Sequence, residues 1–201
     1  MKKNSYGGKL IAVDGPNGVG KSTLINEVAD KLKMEGYQVY RTKEPTDTEM
    51  GLFLREYAEK YDGISVACLV AADRYHHIRA EIIPELKKNK YVITDRYVLS
   101  SFILQQMDGV SDTFLGEINS EVIKPDIQIA VSASLETIQK RLAEREVLTR
   151  FEKGNQTERE LQYLKKGIQI LEENEVKVFC INNDMELTDN VEKMKKCIID
   201  L

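Results

Sequence analysis

One short segment of the sequence has the residue types and spacing of a phosphate-binding loop. Residues 15–22 read Gly-Pro-Asn-Gly-Val-Gly-Lys-Ser, which fits the pattern G-x-x-x-x-G-K-[ST]. In such a loop, glycines let successive backbone N–H groups turn towards phosphate oxygens at the start of a helix. Lys21 is then expected to reach the β- and γ-phosphates, and the Ser22 hydroxyl to bind Mg²⁺. The segment predicts a nucleoside triphosphate site formed by Gly15, Pro16, Asn17, Gly18, Val19, Gly20, Lys21, Ser22 and Thr23.

A charged pair, Asp95 and Arg96, follows an apolar stretch further along the chain. An acid at a strand end can organise the water around Mg²⁺, and an arginine beside it indicates a second anion nearby. The sequence contains neither the N-K-x-D nor the D-x-x-G motif of GTPases, and its acidic strand does not end in the Asp-Glu of many motor ATPases. These features favour a kinase over a switch or a motor.

Short apolar stretches alternate with longer helical patterns and predict the fold that positions these residues. The candidate strands are Lys9–Asp14, Gln38–Thr42, Tyr91–Asp95, Ile127–Ser132 and Val176–Asn182. The candidate helices are Lys21–Glu35, Met50–Lys60, Ser65–Asn89, Ser100–Met107, Asp112–Ile123, Leu135–Glu146, Thr157–Asn174 and Leu187–Leu201, and Pro84 predicts a kink or break in the longest of them. This alternation predicts an α/β fold, a three-layer sandwich with helices on both faces of a five-stranded parallel sheet. Ligands bind such sheets beyond the carboxyl ends of the strands.

Length and composition limit the class of protein. The 201 residues favour one domain, 1–201, and the net charge of −4 argues against general nucleic-acid binding. The longest apolar run, residues 66–72, is far shorter than the roughly 20 residues that span a membrane. The first residues lack the apolar segment of a signal peptide, and the three widely spaced cysteines do not indicate a disulfide framework or a zinc site. We therefore expect a soluble, cytoplasmic protein without a membrane or nucleic-acid partner.

Several segments together resemble, in their order along the chain, the motifs of thymidylate kinases. They are residues 15–22, Lys43-Glu44-Pro45, Ala72-Asp73-Arg74-Tyr75-His76-His77, Asp95-Arg96-Tyr97-Val98-Leu99-Ser100-Ser101 with Gln105, and an arginine-bearing segment 145–152. The resemblance covers nearly the whole chain. It implies a homodimeric kinase that transfers the γ-phosphoryl group of ATP, with Mg²⁺, to dTMP. Two alternatives stay open: a kinase of the same fold for another nucleotide or nucleoside, and a P-loop protein that binds ATP without an acceptor.

The resemblance also implies roles for individual residues around the acceptor. Arg96 is expected to clamp the acceptor phosphate, because its planar fork suits phosphate oxygens. Arg74 is expected to contact the base, and Glu44 to lie near the acceptor and the metal. Ser101 and Gln105 are expected to line the same pocket. The implied metal ligands are Ser22 and Asp95.

A lid at about residues 145–157 is expected to bring positive charge to the transferred phosphoryl group. Such an arginine contributes roughly 10³–10⁵ in rate. The variable P-loop positions carry no basic residue, so the chain resembles the lid-dependent type of the family. Arg145 and Arg150 are therefore the catalytic candidates in the lid, beside Lys21 and Asp95. Arg141 is expected to contact ATP.

Four departures from the family pattern all lie on the acceptor side. Asn17 stands where the family has an acid that holds the sugar 3′-hydroxyl, and Val70 where an aromatic ring stacks on thymine. Leu104 replaces a tyrosine associated with excluding a 2′-hydroxyl, and Lys43 replaces the arginine of Arg-Glu-Pro. Loss of a stacked ring costs about 1–3 kcal/mol in nucleic-acid complexes. We expect weaker discrimination between dTMP and other pyrimidine monophosphates.

Two further patterns predict structural roles rather than chemistry. His76 and His77 are expected to form a surface pair on a helix and not a metal site. The helical spacing of four apolar residues in the last third of the chain predicts a face packed in the core: Leu161, Leu164, Ile168 and Leu171.

Overall fold

The computed structural model describes all 201 residues and contains seven strands. They are β1 (Lys2–Lys3), β2 (Lys9–Asp14), β3 (Val39–Lys43), β4 (Tyr91–Asp95), β5 (Ile123–Lys124), β6 (Ile127–Ser132) and β7 (Val178–Asn182). Five of them form one parallel sheet in the order β3-β4-β2-β6-β7, and the short strands β1 and β5 pair separately. The predicted five-stranded parallel sheet is confirmed.

Helices cover both faces of the sheet. They are α1 (Lys21–Met34), α2 (Glu49–Ala58), α3 (Gly63–His77), α4 (Ile83–Lys87), α5 (Val98–Met107), α6 (Asp112–Ile118), α7 (Leu135–Ala143), α8 (Gln156–Glu173) and α9 (Leu187–Ile199). Alternate side chains of β2 enter two different apolar clusters. Leu10 and Ala12 join the cluster with α3, α5 and α8, while Ile11 and Val13 join the cluster with α1, α7 and α9. The three-layer α/β sandwich is therefore confirmed. No helix combines the length and the apolar character that crossing a membrane requires.

Strand register gathers the polar strand ends at one edge of the sheet. Asp95 at the end of β4 lies opposite Val13 of β2 and opposite Lys43 of β3. Asp14 lies opposite Ala130 of β6. The loop 15–20 leaves β2 at this edge, so the candidate residues from three strands and one loop meet there.

The longest predicted helix, Ser65–Asn89, is interrupted as expected from Pro84. Its first part ends at His77, a π-helical turn spans Ile78–Ile82, and α4 begins at Ile83. Proline has no N–H for the carbonyl four residues earlier, and its ring crowds that carbonyl. The wider turn before Pro84 accommodates both effects.

Helix α6 is shorter than the predicted Asp112–Ile123, for a tertiary reason. It ends at Ile118, and the side chain of Asn119 then donates to the carbonyl of Leu115 (2.9 Å) and accepts from Arg74 (2.6 Å). These contacts turn the chain into β5.

The predicted apolar face of α8 does pack in the core: Leu164 and Leu171 are buried, and Leu161 and Ile168 are half-buried against the two clusters.

Candidate active site

The loop between β2 and α1 wraps around the side chain of Lys21. A Cβ at Gly15 would lie 2.1 Å from the carbonyl oxygen of Val131, so only glycine fits beside β6. Gly20 has φ of 91°, a left-handed backbone that lets α1 begin at the next residue. The ammonium of Lys21 donates to the carbonyls of Gly15 (2.9 Å) and Pro16 (2.7 Å). The loop thus holds a cation at its centre, as a phosphate cradle requires.

The buried surroundings of Lys21 disfavour its charged form. Burial, followed by the nearby positive charge of Arg96, lowers the pKa of Lys21 to about 7. The carboxylates of Asp95, Glu160 and Asp14 raise the pKa of Lys21, but they do not offset this lowering. A bound polyanion would restore the charged ammonium, so the loop is electrostatically suited to phosphate.

Ser22 and Asp95 form a pair of oxygen ligands beside the loop. The Ser22 hydroxyl donates to Oδ2 of Asp95 (2.5 Å). Both residues line a cavity of about 410 Å³, here named the P-loop cavity. Its wall contains glycines, polar residues and one proline: Asn17, Gly18, Gly20, Lys21, Ser22, Thr23, Lys43, Glu44, Pro45, Arg55, Asp95, Arg96 and Arg145. Hydroxyl and carboxylate oxygens beside an open cavity fit Mg²⁺, which keeps several waters and phosphate oxygens as ligands.

A second cavity, of about 460 Å³, adjoins the first and is here named the adjoining cavity. Its walls come from α2, α3, α5 and the segment 147–151, and it shares residues such as Asn17, Glu44 and Arg96 with the P-loop cavity. The expected acceptor residues that line it are Val70, Arg74, Leu104 and Gln105. Apolar walls with a few polar groups are typical of sites for small molecules.

Two residues that were expected to contact the acceptor do not line the adjoining cavity. Ser101 is buried behind the adjoining cavity, where its hydroxyl accepts a hydrogen bond from Arg74 (3.0 Å). Lys43 lines the P-loop cavity and pairs with Asp47 (3.0 Å) near the surface.

Arg96 lies at the junction of the two cavities in a left-handed backbone conformation, φ 75°. Its N–H donates to the carbonyl of Val13 (2.9 Å), and its own carbonyl accepts from the hydroxyl of Thr94 (2.8 Å). Its guanidinium donates to Oδ1 of Asn17 (2.7 Å) and to the hydroxyl of Ser100 (3.1 Å). Such a conformation costs about 1–3 kcal/mol and is found where a side chain must be aimed. Here the conformation directs the guanidinium of Arg96 towards the junction of the two cavities.

Asp14 anchors the segment that follows Arg96. Its wholly buried carboxylate accepts from the N–H groups of Tyr97 (2.9 Å) and Ser100 (2.9 Å), and from the side chain of Gln128 (2.9 Å). Sequence reasoning gave this residue no role, although an acid that ends a buried strand just before the loop was a usable signal. Asp14 fixes the start of α5 against β2.

Arg74 is almost fully buried and donates four hydrogen bonds. Its partners are the carboxylate of Glu44 (2.8 Å), the hydroxyl of Ser101 (3.0 Å), the side-chain oxygen of Asn119 (2.6 Å) and the carbonyl of Tyr97 (3.0 Å). The guanidinium therefore ties α3 to α5, α6 and the end of β3. It lies in the wall of the adjoining cavity with most of its donors already used.

The predicted surface pair of histidines is wrong for His77. His76 is exposed, but His77 is wholly buried and its ring contacts Glu44 (3.2 Å) and Thr42 (2.6 Å). The reason is the helical period, because His77 follows Arg74 by three residues and shares its inward face of α3. His77 supports Glu44 from the side opposite Arg74.

The two lid candidates have different surroundings. Arg145 is half-exposed, lines the P-loop cavity and pairs with Glu152. Arg150 lies outside both cavities, where its guanidinium makes two parallel bonds to Asp108 (2.8 and 2.6 Å) at the end of α5 and another to the carbonyl of Ala58. In this arrangement only Arg145 faces the phosphate loop.

Arg141 supports the loop from α7. Its guanidinium donates to the carbonyls of Val19 (3.0 Å) and Asn183 (3.1 Å). It also lines a smaller cavity of about 340 Å³ with Thr23 and Asp184. This cavity lies on the side of the loop away from Arg96.

Sequence reasoning also missed Glu160, a buried acid on α8. Its two carboxylate oxygens accept from the backbone N–H (2.6 Å) and the side-chain amide (2.9 Å) of Asn17. Burial raises the pKa of Glu160, while its bonds to Asn17 and the nearby Arg96 act against this rise. The two residues are 143 positions apart, so no local pattern marks the contact.

Comparisons with known proteins agree with this geometry. The family model described as Thymidylate kinase matches residues 13–194. The probable thymidylate kinase of Caldivirga maquilingensis is 40% identical over 164 residues, which are 79% of this chain and 80% of that protein. The thymidylate kinase of Caldicellulosiruptor saccharolyticus is 41% identical over 143 residues, 67% of this chain and 69% of that protein. The probable thymidylate kinase of Pyrococcus abyssi is 36% identical over 168 residues, 79% of this chain and 82% of that protein. The chain belongs to the thymidylate kinase family.

Proposed function

We propose that this protein is a kinase that transfers the γ-phosphoryl group of ATP to dTMP, giving dTDP and ADP. The observation that carries the proposal is the junction at Arg96, where a phosphate loop and a largely apolar cavity meet. A transfer between two nucleotides needs their phosphates side by side, with a cation between them. The names of the relatives, thymidylate kinases, support dTMP as the acceptor.

The donor nucleotide would lie along the loop and α1. Backbone N–H groups of residues 18–23 and the ammonium of Lys21 would bind its phosphates, and Arg141 would hold the loop from behind. Mg²⁺, held by Ser22 and Asp95, would neutralise phosphate charge in the transition state. No covalent intermediate on the protein is required, because positioning and charge neutralisation supply the catalysis.

The acceptor would occupy the adjoining cavity, with its phosphate at Arg96 and its base between Val70, Leu104 and Gln105. Val70 and Leu104 offer apolar contact without a stacked ring or a hydroxyl. A site discriminates weakly when it relies on apolar fit, where one methyl group supplies only roughly 10–200-fold. The pocket is therefore expected to accept other pyrimidine monophosphates better than a family member with the aromatic ring and the tyrosine.

Residues 145–157 would act as a lid on a single domain, 1–201. Part of this segment already covers the adjoining cavity, through Val147, Leu148, Thr149 and Phe151. Arg145 would approach the transferred phosphoryl group from the P-loop cavity. Arg150 would instead fasten the lid to α5 through Asp108.

We also propose a cytoplasmic homodimer. Four large apolar side chains in the stretch from α2 to the first turn of α3 are more than half exposed, and a second copy of the chain would cover them: Leu52, Phe53, Tyr61 and Ile64. Light scattering at micromolar concentration measures the mass directly. A monomeric mass contradicts the dimer.

The activity is tested by ADP formation from ATP with each nucleotide in turn. Values of kcat/KM for dTMP, dUMP, UMP and dCMP, measured side by side, give both the acceptor and the discrimination. ADP formation that depends on dTMP supports the proposal, and no increase with any monophosphate supports an ATP-binding protein without an acceptor. Another nucleotide or a nucleoside as the preferred acceptor supports the alternative of a same-fold kinase for that substrate. A preference for dTMP above about 10⁴ over every competitor contradicts the weak discrimination, since apolar fit does not supply it.

A further inference from the structure

The contact between Glu160 and Asn17 has a consequence for sugar recognition. We propose that Glu160 is a positioning residue that turns the side-chain carbonyl of Asn17 towards the acceptor nucleotide, so that it accepts a hydrogen bond from a sugar hydroxyl. The pair thereby takes the place of the single acid that the family carries at position 17. The proposal rests on the proposed function, because it concerns the acceptor of that reaction.

The geometry of the pair leaves one orientation for the amide. A carboxylate only accepts hydrogen bonds, so the Nδ2 group of Asn17 must face Glu160 and Oδ1 must face away. The backbone N–H of Asn17 donates to the other carboxylate oxygen of Glu160, which holds the loop and the side chain together. Glu160 is only 1% exposed and lines neither cavity, whereas Asn17 lines both. Glu160 therefore acts on a ligand through Asn17.

The backbone N–H and one N–H of the side-chain amide of Asn17 are thus used by Glu160. The acceptor that the side chain offers a ligand is Oδ1, which now accepts from Arg96 (2.7 Å). When the guanidinium of Arg96 turns to an acceptor phosphate, Oδ1 becomes free for a sugar hydroxyl. An amide oxygen in this orientation offers the same hydrogen-bonding function as a carboxylate oxygen.

The arrangement also moves the negative charge. In a family member with an acid at this position, the charge lies at the ligand itself. Here it lies one hydrogen bond further back, on Glu160, near the positive charges of Arg96 and Lys21. A carboxylate at position 17 would face a second carboxylate within about 3 Å, and two like charges at that distance do not both ionise. Asparagine at position 17 and glutamate at position 160 are therefore a matched pair.

The test is an exchange of the two groups. The variants are Glu160→Gln, Asn17→Asp and the double variant Asn17→Asp/Glu160→Gln, with Glu158→Gln as the control, since Glu158 is exposed on the same helix. We expect Glu160→Gln to raise KM for dTMP about 10-fold with little change in kcat, because Asn17 loses its fixed orientation. Asn17→Asp alone is expected to lower kcat/KM about 100-fold through repulsion from Glu160.

The double variant provides the decisive measurement. The amide introduced at position 160 can donate to the carboxylate introduced at position 17, so kcat/KM is expected to recover at least about 10-fold relative to Asn17→Asp. Losses that multiply in the double variant overturn the proposal, as does an unchanged KM for dTMP in Glu160→Gln. Thermal unfolding of the wild type and these three variants without ligand should show the same rescue, and its absence also overturns the pairing.

A second substrate separates sugar recognition from a structural effect. Wild-type enzyme should prefer dTMP to 3′-deoxy-dTMP, and Glu160→Gln should lose most of that preference. An equal preference in both proteins overturns the proposal. A wild-type protein that forms no ADP with dTMP contradicts the proposed function instead, and the thermal unfolding cycle still tests the pair.

Discussion

The two cavities of this molecule are built in different ways. The P-loop cavity takes most of its wall from one continuous segment, residues 17–23, and from the ends of β3 and β4. The adjoining cavity is assembled from α2, α3, α5 and the segment 147–151, and a buried ion pair between Arg74 and Glu44 lies in its wall. The first depends on local backbone geometry, and the second depends on the packing of the whole domain.

This difference has an energetic consequence. Lys21 bonds only to carbonyls of its own loop, so its side chain contributes little to holding distant elements together. Arg74 joins four separate segments, and its loss would leave Glu44 buried without its guanidinium. Changes on the P-loop side should therefore affect turnover without unfolding, whereas changes in the wall of the adjoining cavity should affect stability as well.

The largest effect is expected for Lys21→Ala. Removing the cation from the loop should lower kcat at least about 10³-fold, because in the proposed reaction its charge would stabilise phosphate oxygens during transfer. The variant should remain folded, as judged by circular dichroism and a cooperative melt. Lys33→Ala, an exposed lysine on the same helix, is the control. Near-normal turnover in a folded Lys21→Ala protein would contradict the donor site.

Arg74→Ala should show the opposite behaviour. Leaving a buried carboxylate without its partner costs about 3–5 kcal/mol of the free energy of unfolding. Urea denaturation gives this value from the midpoint and slope of the transition. Arg79→Ala, exposed in the adjacent π-helical turn, should change the free energy of unfolding by less than about 0.5 kcal/mol. A loss at Arg74 as small as at Arg79 would break the contrast between the two cavities.

The two lid arginines sharpen the comparison further. Arg145→Ala should lower kcat about 10²–10³-fold, since this side chain faces the P-loop cavity. Arg150→Ala should lower it by about 10-fold or less, and Asp108→Asn should have the same effect, because both break the same partly buried pair, which lies outside both cavities. Steady-state kinetics at saturating ATP and dTMP measure all three. A large loss in Arg150→Ala with normal kcat in Asp108→Asn would show that Arg150 acts on the phosphates directly.

The final prediction concerns the pH dependence of stability. The pKa of Lys21 is lowered to about 7 in the folded protein, below its ordinary value of 10.5. Between these two values the unfolded chain binds the extra proton, so the stability of the wild type should rise with pH over this window. Lys21→Met lacks the group, and the melting temperature of the wild type minus that of the variant should increase from pH 7 to pH 10. A difference that stays constant or decreases would contradict the lowered pKa.

Much of the P-loop side could be predicted before the fold was known. Residues 15–22 specify their own turn, because the conformation of a glycine-rich loop before a helix depends mainly on neighbouring residues. Asp95 ends a strand that its run of apolar residues predicts. The residues that line the adjoining cavity were harder to predict from the sequence. Ser101 and Gln105 are four residues apart on α5, yet only Gln105 lines the cavity, because Ser101 faces Arg74.

The sequence by itself therefore determined the α/β alternation, the phosphate loop and the break near Pro84, all of which follow from local conformational preferences. Only the tertiary structure decided which groups meet across the chain: Glu160 with Asn17, Arg150 with Asp108, and His77 with Glu44. These pairs are between 33 and 143 residues apart. A local pattern records the preference of each residue for helix, strand or turn, but a contact between distant polar groups depends on how whole helices pack, which no short segment specifies.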